Sequence, residues 1–260
     1  MSFAFSKYHG TGNDFVLLHD FEAEFPLEDA DLVQRMCDRH FGIGADGLMV
    51  LRPPKKTGTA FHLIYFNANG GVGSLCGNGA RCAVSFAKKI GLFKGHALAF
   101  DAADGTHEAW IDQEEIRVHM APTSIPRQEH GGFFIDTGSP HHVRFVDGLA
   151  THPVEEEGKS LRYTTYGIAG ANINFVERSK EGAWHVRTYE RGVEGETLSC
   201  GTGVTAVALV LAHLKKVEGH VLVLHTPGGK LKVQWEQEPY GFDRIELMGP
   251  AEFVFSGQWK

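Results

Sequence analysis

Two short motifs, Cys76-Gly77-Asn78-Gly79 and Cys200-Gly201-Thr202-Gly203, share the pattern C-G-[NT]-G 124 residues apart. Each precedes an apolar run that reads as helix, residues 80–90 and 204–216, so each cysteine falls at a loop-to-helix junction. A thiol at a helix N-terminus meets the positive end of the dipole and free backbone N–H groups, and both favour thiolate. The same N–H groups suit a carboxylate, and the flanking glycines let the backbone approach it closely. Two such helix starts offer two thiols to one small anion. Inverting a carbon next to a carboxylate needs a base on one face and an acid on the other. A thiolate–thiol pair supplies both, exchanges roles in the reverse direction, and needs no cofactor in principle.

Other readings of matched thiols stay open at this point. A thiol-redox protein would use Cys76 and Cys200 as a reversible disulfide, although such cysteines usually lie close in sequence. A small-acid binding protein would need the glycine-rich N–H groups but not both thiols. A free cysteine is also commonly just a small buried apolar residue. That is the reading for Cys37 and Cys82, which sit in helical patterns without a partner at the repeat distance.

The motif match belongs to a longer repeat. Nineteen residues after each cysteine comes Gly-His, at Gly95-His96 and Gly219-His220, each followed by a strand-like run, Ala97-Leu98-Ala99-Phe100 and Val221-Leu222-Val223-Leu224. Gly105 and Gly229, Trp110 and Trp235, and Met120-Ala121-Pro122 and Met248-Gly249-Pro250 follow in the same order. Upstream, Thr11-Gly12-Asn13 answers Thr137-Gly138-Ser139, and Phe41-Gly42-Ile43-Gly44-Ala45 answers Tyr166-Gly167-Ile168-Ala169-Gly170-Ala171. These matches divide the chain into homologous halves, residues 1–122 carrying Cys76 and residues 123–251 carrying Cys200. In each, a strand (residues 61–66 or 184–189), a glycine-rich loop and one principal helix follow in order, with Gly91 and Gly219 as the helix stops. The expected fold class is α/β (α+β): two pseudo-symmetric halves, each a mainly antiparallel, barrel-like sheet around a central helix, with the active site in the cleft between them.

Composition narrows the function. The chain has 260 residues, 42% hydrophobic and 22% charged, which excludes disorder, collagen and coiled coil as its main character. A formal charge of −7 argues against nucleic acid and anionic membranes as partners. No apolar run approaches the roughly 20 residues of a membrane span, and the first residues lack a signal-peptide core, so a cytoplasmic location is expected. Four cysteines form no Cys-x-x-Cys pair, and among 15 histidines only His141 and His142 are adjacent, so no metal site is expected. The runs Lys55-Lys56, Glu155-Glu156-Glu157 and Lys215-Lys216 read as solvated charge. Arg191, before a glycine-rich loop, suits forked binding of a carboxylate, with a surface ion pair as the alternative. Glu190 could neutralise a substrate ammonium or pair with Arg191. Asn13 could contact a ligand or satisfy a tight turn.

Taken together, the motifs resemble diaminopimelate epimerase over essentially the whole chain. Phe66-Asn67-Ala68-Asn69-Gly70 and Leu75-Cys76-Gly77-Asn78-Gly79-Ala80-Arg81-Cys82 are similar to the first active-site signature of that family. Tyr189-Glu190-Arg191-Gly192 and Glu196-Thr197-Leu198-Ser199-Cys200-Gly201-Thr202-Gly203 are similar to the second. Gly10-Thr11-Gly12-Asn13-Asp14-Phe15, Gly138-Ser139-Pro140-His141 and Ala171-Asn172 match further positions. The resemblance implies a pyridoxal-independent epimerase that interconverts LL- and meso-2,6-diaminopimelate, on the route to lysine and peptidoglycan. It implies Cys76 as proton donor and Cys200 as acceptor in the LL-to-meso direction, supported by His141 and Glu190. It implies that Gly77 with Asn78, and Gly201 with Thr202, hold the reacting carboxylate. Asn13, Asn67, Ser139, Asn172, Glu190 and Arg191 would read the substrate's other polar groups. It further implies a homodimer, and a C-terminal tail, residues 252–260, that returns to the first half. Three departures from the family pattern stand out: Asn69-Gly70-Gly71 for the usual Asp-Gly-Ser, Ser139 where many members have Asn before Pro-His, and Gly47 where some members have Gln. A proline or hydroxyproline racemase of the same fold is the nearest alternative, although Glu190-Arg191 suits a second charged end that proline lacks.

Overall fold

A computed structural model describes residues 2–73, 76–113 and 115–260. Contacts group the chain into two compact units, Met1–Val118 with Pro250–Lys260, and His119–Gly249. In chain order the first unit contains β1 (Phe3–Gly10), β2 (Asn13–His19), α1 (Ala30–Cys37), β3 (Gly47–Arg52), β4 (His62–Asn67), α2 (Gly77–Lys89), β5 (Ala97–Ala102) and β6 (Gly105–Asp112), and β7 (Glu115–Met120) leads out of it. The second contains β8 (Thr123–Ser124), β9 (Arg127–Glu129), β10 (Gly132–Asp136), β11 (Pro140–Phe145), α3 (Val154–Ser160), β12 (Asn172–Arg178), β13 (Trp184–Glu190), β14 (Gly195–Thr197), α4 (Gly201–His213), β15 (Val221–Thr226), β16 (Gly229–Glu238) and β17 (Gly241–Pro250). The last strand, β18 (Glu252–Trp259), pairs antiparallel with β1 from Phe3↔Trp259 to His9↔Glu252.

The repeat is a repeat of topology. In the first unit β1–β2 is antiparallel, β2–β3 parallel, β3–β4 antiparallel, β4–β5 parallel, and β5–β6 and β6–β7 antiparallel. In the second, β10–β11, β11–β12, β12–β13, β13–β15, β15–β16 and β16–β17 follow the same sequence of directions. Gly105 and Gly229 turn at the same place with φ of 143° and 142°, and a Cβ on Gly105 would meet nothing within 4 Å. Backbone conformation, not space, therefore calls for glycine there.

Each central helix packs against one face of its sheet, and a shorter helix packs against the other. On β2 and β3, Phe15, Leu17, Met49 and Leu51 join the core around Ala80, Ala83 and Val84 of α2. The alternate residues Val16, Leu18, Leu48 and Val50 join Val33, Met36 and Cys37 of α1. Such strands are covered on both faces, which is why their sequences are continuous apolar runs. In the second unit every residue of α4 from Gly201 to Ala212 is buried, among Val143, Val176, Val186, Leu224, Val233 and Trp235. A helix enclosed all round has no polar stripe to display. Ile173 and Phe175 face the other way, against Val154 of α3 and Leu149.

Both central helices start three residues before the apolar runs suggest, so that Cys76 and Cys200 are themselves the N-cap residues. Gly91, with φ of 77°, ends α2 as expected. The stop after α4 is Lys215 rather than Gly219: its φ is 54°, its N–H donates to Ala212 O, and the N–H of Lys216 donates to Leu211 O. The acidic run 155–157 is tied down rather than merely solvated. Glu157 pairs with Arg144 at 2.5 Å and with His152 at 3.0 Å, and Glu155 accepts the N–H of Glu196 at 2.7 Å. No helix among the described residues is long and apolar enough to cross a membrane.

Candidate active site

Around Cys76 the first unit builds a polar cluster from the start of α2 and the β1–β2 turn. Cys76 is half-buried, has extended φ/ψ of −98° and 120°, and its carbonyl accepts the N–H of Ala80 at 2.7 Å. Its Sγ lies 3.5 Å from Asn13 Oδ1. Asn78 Nδ2 donates to the same oxygen at 3.3 Å, and Asn13 Nδ2 donates to Asp46 Oδ2 at 2.7 Å. Behind Asn78 lies Arg81, fully buried, which donates to Asn78 Oδ1 at 2.9 Å and to Gly77 O at 3.3 Å. Burial lowers the pKa of this guanidinium to about 10. Asp46 is gripped by Arg39, which also holds Asp14, and Asp14 pairs with Lys7 at 2.7 Å. Burial pushes the Asp14 carboxyl up, but its bonds to Arg39 and Lys7 outweigh that and bring it down to about 2.

Around Cys200 the second unit builds a different environment on the same plan. Cys200 is buried, has φ/ψ of −119° and 111°, and its carbonyl accepts the N–H of Val204 at 2.9 Å. Its Sγ lies 3.5 Å from Thr202 Oγ1, and Thr137 Oγ1 donates to Thr202 O at 2.9 Å. A Cβ at Gly203 would stand 3.3 Å from Cys200 Sγ and 2.4 Å from Asn174 Oδ1. Asn174 Nδ2 donates to His142 O at 3.0 Å and reaches His141 Nδ1 at 3.2 Å. Asn172 lies 3.5 Å from His141 Nε2, and its Oδ1 accepts the N–H of Arg191 at 2.8 Å. His141 is fully buried, and burial, with the nearby Arg191 charge, pushes its pKa down to about 3. It is therefore a neutral imidazole near pH 7.

The structure thus joins Asn13, Cys76, Gly77 and Asn78 in one unit, and links Cys200, Gly201 and Thr202 to His141, Asn172 and Arg191 through Gly203 and Asn174 in the other. Glu190 accepts from Thr197 Oγ1 at 3.1 Å. The Arg191 guanidinium donates to Ala169 O at 2.8 Å. Asn67 closes a turn, its N–H donating to Gly71 O, and Ser139 closes another by accepting the N–H of Thr137. Cys37 and Cys82 are buried, and burial pushes the Cys37 thiol up to about 12 and the Cys82 thiol higher still. Both are inert thiols on those grounds.

One departure from the family pattern has a local reason, and a second leaves a local bond intact. At Gly47 a Cβ would stand 2.5 Å from Tyr65 Cε2 and 2.6 Å from Phe66 O, so the Tyr65 ring occupies the space a side chain there would need. Asn69 Oδ1 accepts the N–H of Gly71 at 3.0 Å, the turn bond an aspartate would also make. Asp46, Arg81 and Asn174 are contacts that sequence reasoning missed. The signal for Asn174 was present: Asn172-x-Asn174 on a strand puts both amides on one face. Among the described residues no group of three His, Cys, Asp or Glu side chains could hold a metal ion.

The family model for diaminopimelate epimerase matches residues 5–125 and 133–254. The chain is 45% identical over 251 residues to the diaminopimelate epimerase of Flavobacterium psychrophilum, covering 96% of this chain and 97% of that one. It is 40% identical to that of Chlorobaculum tepidum over 95% of this chain and 98% of the relative. An O-ureido-serine racemase of Streptomyces lavendulae is 33% identical, covering 97% and 94%. Among solved structures, a PhzF-family phenazine biosynthesis protein of Bacillus anthracis superposes with a TM-score of 0.79 over 100% of this chain and 99% of its own, at 14% identity. A hydroxyproline epimerase from Agrobacterium vitis superposes with a TM-score of 0.76, over 99% and 91%, also at 14%. These two show the fold alone. With the family model and relatives at 40 and 45% identity all spanning nearly the whole sequence, the chain belongs to the diaminopimelate epimerase family of enzymes.

Proposed function

We propose that this enzyme interconverts LL- and meso-2,6-diaminopimelate by two-base proton transfer at one α-carbon, without a cofactor, in the supply of lysine and peptidoglycan precursors. The observation that carries the reading is the pair of cysteines that N-cap the two repeat-related central helices. In the LL-to-meso direction the Cys200 thiolate takes the α-proton, and the electron pair passes into the substrate carboxylate. Helix-start N–H groups at Gly77 and Asn78, and at Gly201 and Thr202, steady that charge. The Cys76 thiol then returns a proton to the opposite face, leaving a Cys200 thiol and a Cys76 thiolate, so the reverse reaction starts with the roles exchanged. Asn13, Asn67, Ser139, Asn172, Glu190 and Arg191 read the amino and distal groups. His141, neutral and fixed by two amides, supports the site by hydrogen bonding rather than by charge. The working form is a cytoplasmic homodimer.

The racemase relative from Streptomyces lavendulae favours a second reading, in which the same chemistry acts on another amino acid with a polar distal group. One experiment separates them. The protein is incubated in heavy water with LL-diaminopimelate, and in parallel with L-O-ureidoserine, without added cofactor. Deuterium at the α-carbon together with the meso isomer supports the first reading. Exchange only with the serine derivative supports the second, and exchange with neither defeats both.

A further inference from the structure

Four side chains of the first unit form a directed line: Arg81 Nη2 to Asn78 Oδ1 at 2.9 Å, Asn78 Nδ2 to Asn13 Oδ1 at 3.3 Å, and Asn13 Nδ2 to Asp46 Oδ2 at 2.7 Å. A cation stands at one end, a carboxylate at the other, and two amides lie between them with their dipoles aligned head to tail. Asparagine amides generally turn either way with little difference in shape. Here neither can. Flipping Asn78 would set its NH2 against the Arg81 donors, and flipping Asn13 would set its oxygen against the Asp46 carboxylate. Both ends are themselves held: Arg81 is fully buried, and Asp46 is gripped by Arg39 Nη2 at 2.7 Å and accepts the N–H of Asp14 at 3.2 Å.

The line has a chemical consequence at Cys76. With its nitrogen committed to Asp46, Asn13 presents its carbonyl oxygen to Cys76 Sγ at 3.5 Å, where it accepts a hydrogen bond from the thiol. A carbonyl oxygen supports S–H and repels thiolate. Beside the Cys200 sulfur stands instead a hydroxyl, Thr202 Oγ1, at 3.5 Å, which can donate to a thiolate. We infer that Arg81 and Asp46 are positioning residues that lock the Asn13 amide so that Cys76 rests as the protonated thiol, the proton donor of the pair. This inference rests on the two-thiol function proposed above and assigns the origin of its polarity.

The test reads the thiols directly and needs no substrate, so it can fail while heavy-water exchange with LL-diaminopimelate succeeds. The wild type and Asp46→Ala are alkylated with iodoacetamide over a range of pH, and the rates at Cys76 and Cys200 are read separately by peptide mass. Freeing Asn13 to turn its NH2 toward sulfur should move the Cys76 profile to lower pH by about half a unit, roughly threefold in rate below the midpoint. Its plateau and the Cys200 profile should not change. Asp46→Asn, which can keep an acceptor near Asn13, should move the profile less. Arg39→Ala, at a half-exposed side chain, loosens Asp46, should shift the profile in the same direction by less, and serves if Asp46→Ala does not fold. An unmoved Cys76 profile in folded variants overturns the inference. So does a higher plateau without a shift, which would report access rather than protonation.

Discussion

Arg81 and Thr205 stand five residues after the two cysteines, and each donates from its side chain to the carbonyl of the residue that follows its cysteine. Arg81 Nη1 reaches Gly77 O at 3.3 Å and Thr205 Oγ1 reaches Gly201 O at 3.0 Å. Both residues are fully buried. Two chemically unlike side chains therefore brace the first turn of α2 and of α4 in the same way, and that turn carries the N–H groups proposed above to hold the carboxylate. Arg81 also orients an amide network, whereas Thr205 braces only its own helix.

The brace at Thr205 can be removed without changing shape. Thr205→Val should lower stability by about 1 kcal/mol, the usual net worth of a buried hydrogen bond, and should lower kcat/KM. Thr205→Ser, which keeps the hydroxyl, should retain kcat/KM. Thermal melts with steady-state kinetics on the three proteins check this, and a Val variant as active as wild type would show that the brace does not reach the site.

How much of this was legible in the sequence depended on which physical signal each residue left. The equivalent places of Cys76 and Cys200 near the starts of two helices and the two-half α/β fold were readable because one motif and its downstream Gly-His step recur in order. The helix starts were not, because Gly77-Asn78-Gly79 looks like loop on propensity. Gly79 nonetheless lies within α2, packed so closely that a Cβ there would stand 1.8 Å from Met49 Cε. Asp46 and Arg81 left no periodic signal; they matter through bonds to residues 32 to 33 positions away and through Asn78.

Turnover should survive dialysis against a chelator and treatment with hydroxylamine as a carbonyl trap. On the proposed mechanism two thiols account for both proton transfers, and a base and an acid are all the inversion requires. Loss of activity that added pyridoxal phosphate restores would refute the two-thiol reading.

Stability should fall in mild acid. His141 and His142 are both fully buried, and burial first, then neighbouring positive charge, lowers them to about 3 and about 4. Arg191 faces the first, and Arg144 and His130 the second. Unfolded histidine titrates near ~6.5, so the unfolded chain binds more protons at intermediate pH. The stabilisation is complete above that pH and is lost as the pH falls towards the folded values. At about pH 5 unfolding should take up about two protons through this pair. Urea midpoints at pH 7, 6 and 5 measure it. His142→Gln should remove about one of the two, and a wild-type midpoint that does not move would contradict the assignment.

Gly203 should tolerate no side chain. A helical glycine replaced by alanine ordinarily gains up to about 1 kcal/mol. At Gly203 the new Cβ would stand 2.4 Å from Asn174 Oδ1. Asn174 cannot retreat, being held by Thr188 Oγ1 at 3.0 Å and His142 O at 3.0 Å. Gly203→Ala should therefore cost about 1–3 kcal/mol as overpacking, and should lower activity by moving Cys200. Gly91→Ala, with φ of 77° and open space around it, should cost about 1 kcal/mol and leave activity alone. Adding Asn174→Ala to Gly203→Ala should recover part of the stability; a double variant no more stable than Gly203→Ala would argue against the clash.

The two thiols should have separate stereochemical duties. A base reaches an α-hydrogen only from the face on which it sits, so on the proposed mechanism Cys200 serves the LL substrate and Cys76 the reacting D-centre of the meso form. Cys200→Ala and Cys76→Ala should each lower epimerisation in both directions by at least about a hundredfold, since each direction needs one base and one acid. Exchange of the α-hydrogen with heavy water separates the faces. In Cys200→Ala, residual exchange should occur with meso substrate, at its D-centre and with retention, because Cys76 can still remove and return that proton. In Cys76→Ala it should occur with LL substrate instead. Equal residual exchange of both isomers in both variants would mean that the faces are not divided between the thiols, and would turn attention to Glu190 as a base. His141, held neutral and flanked by the Asn172 and Asn174 amides, is the weaker candidate for that role.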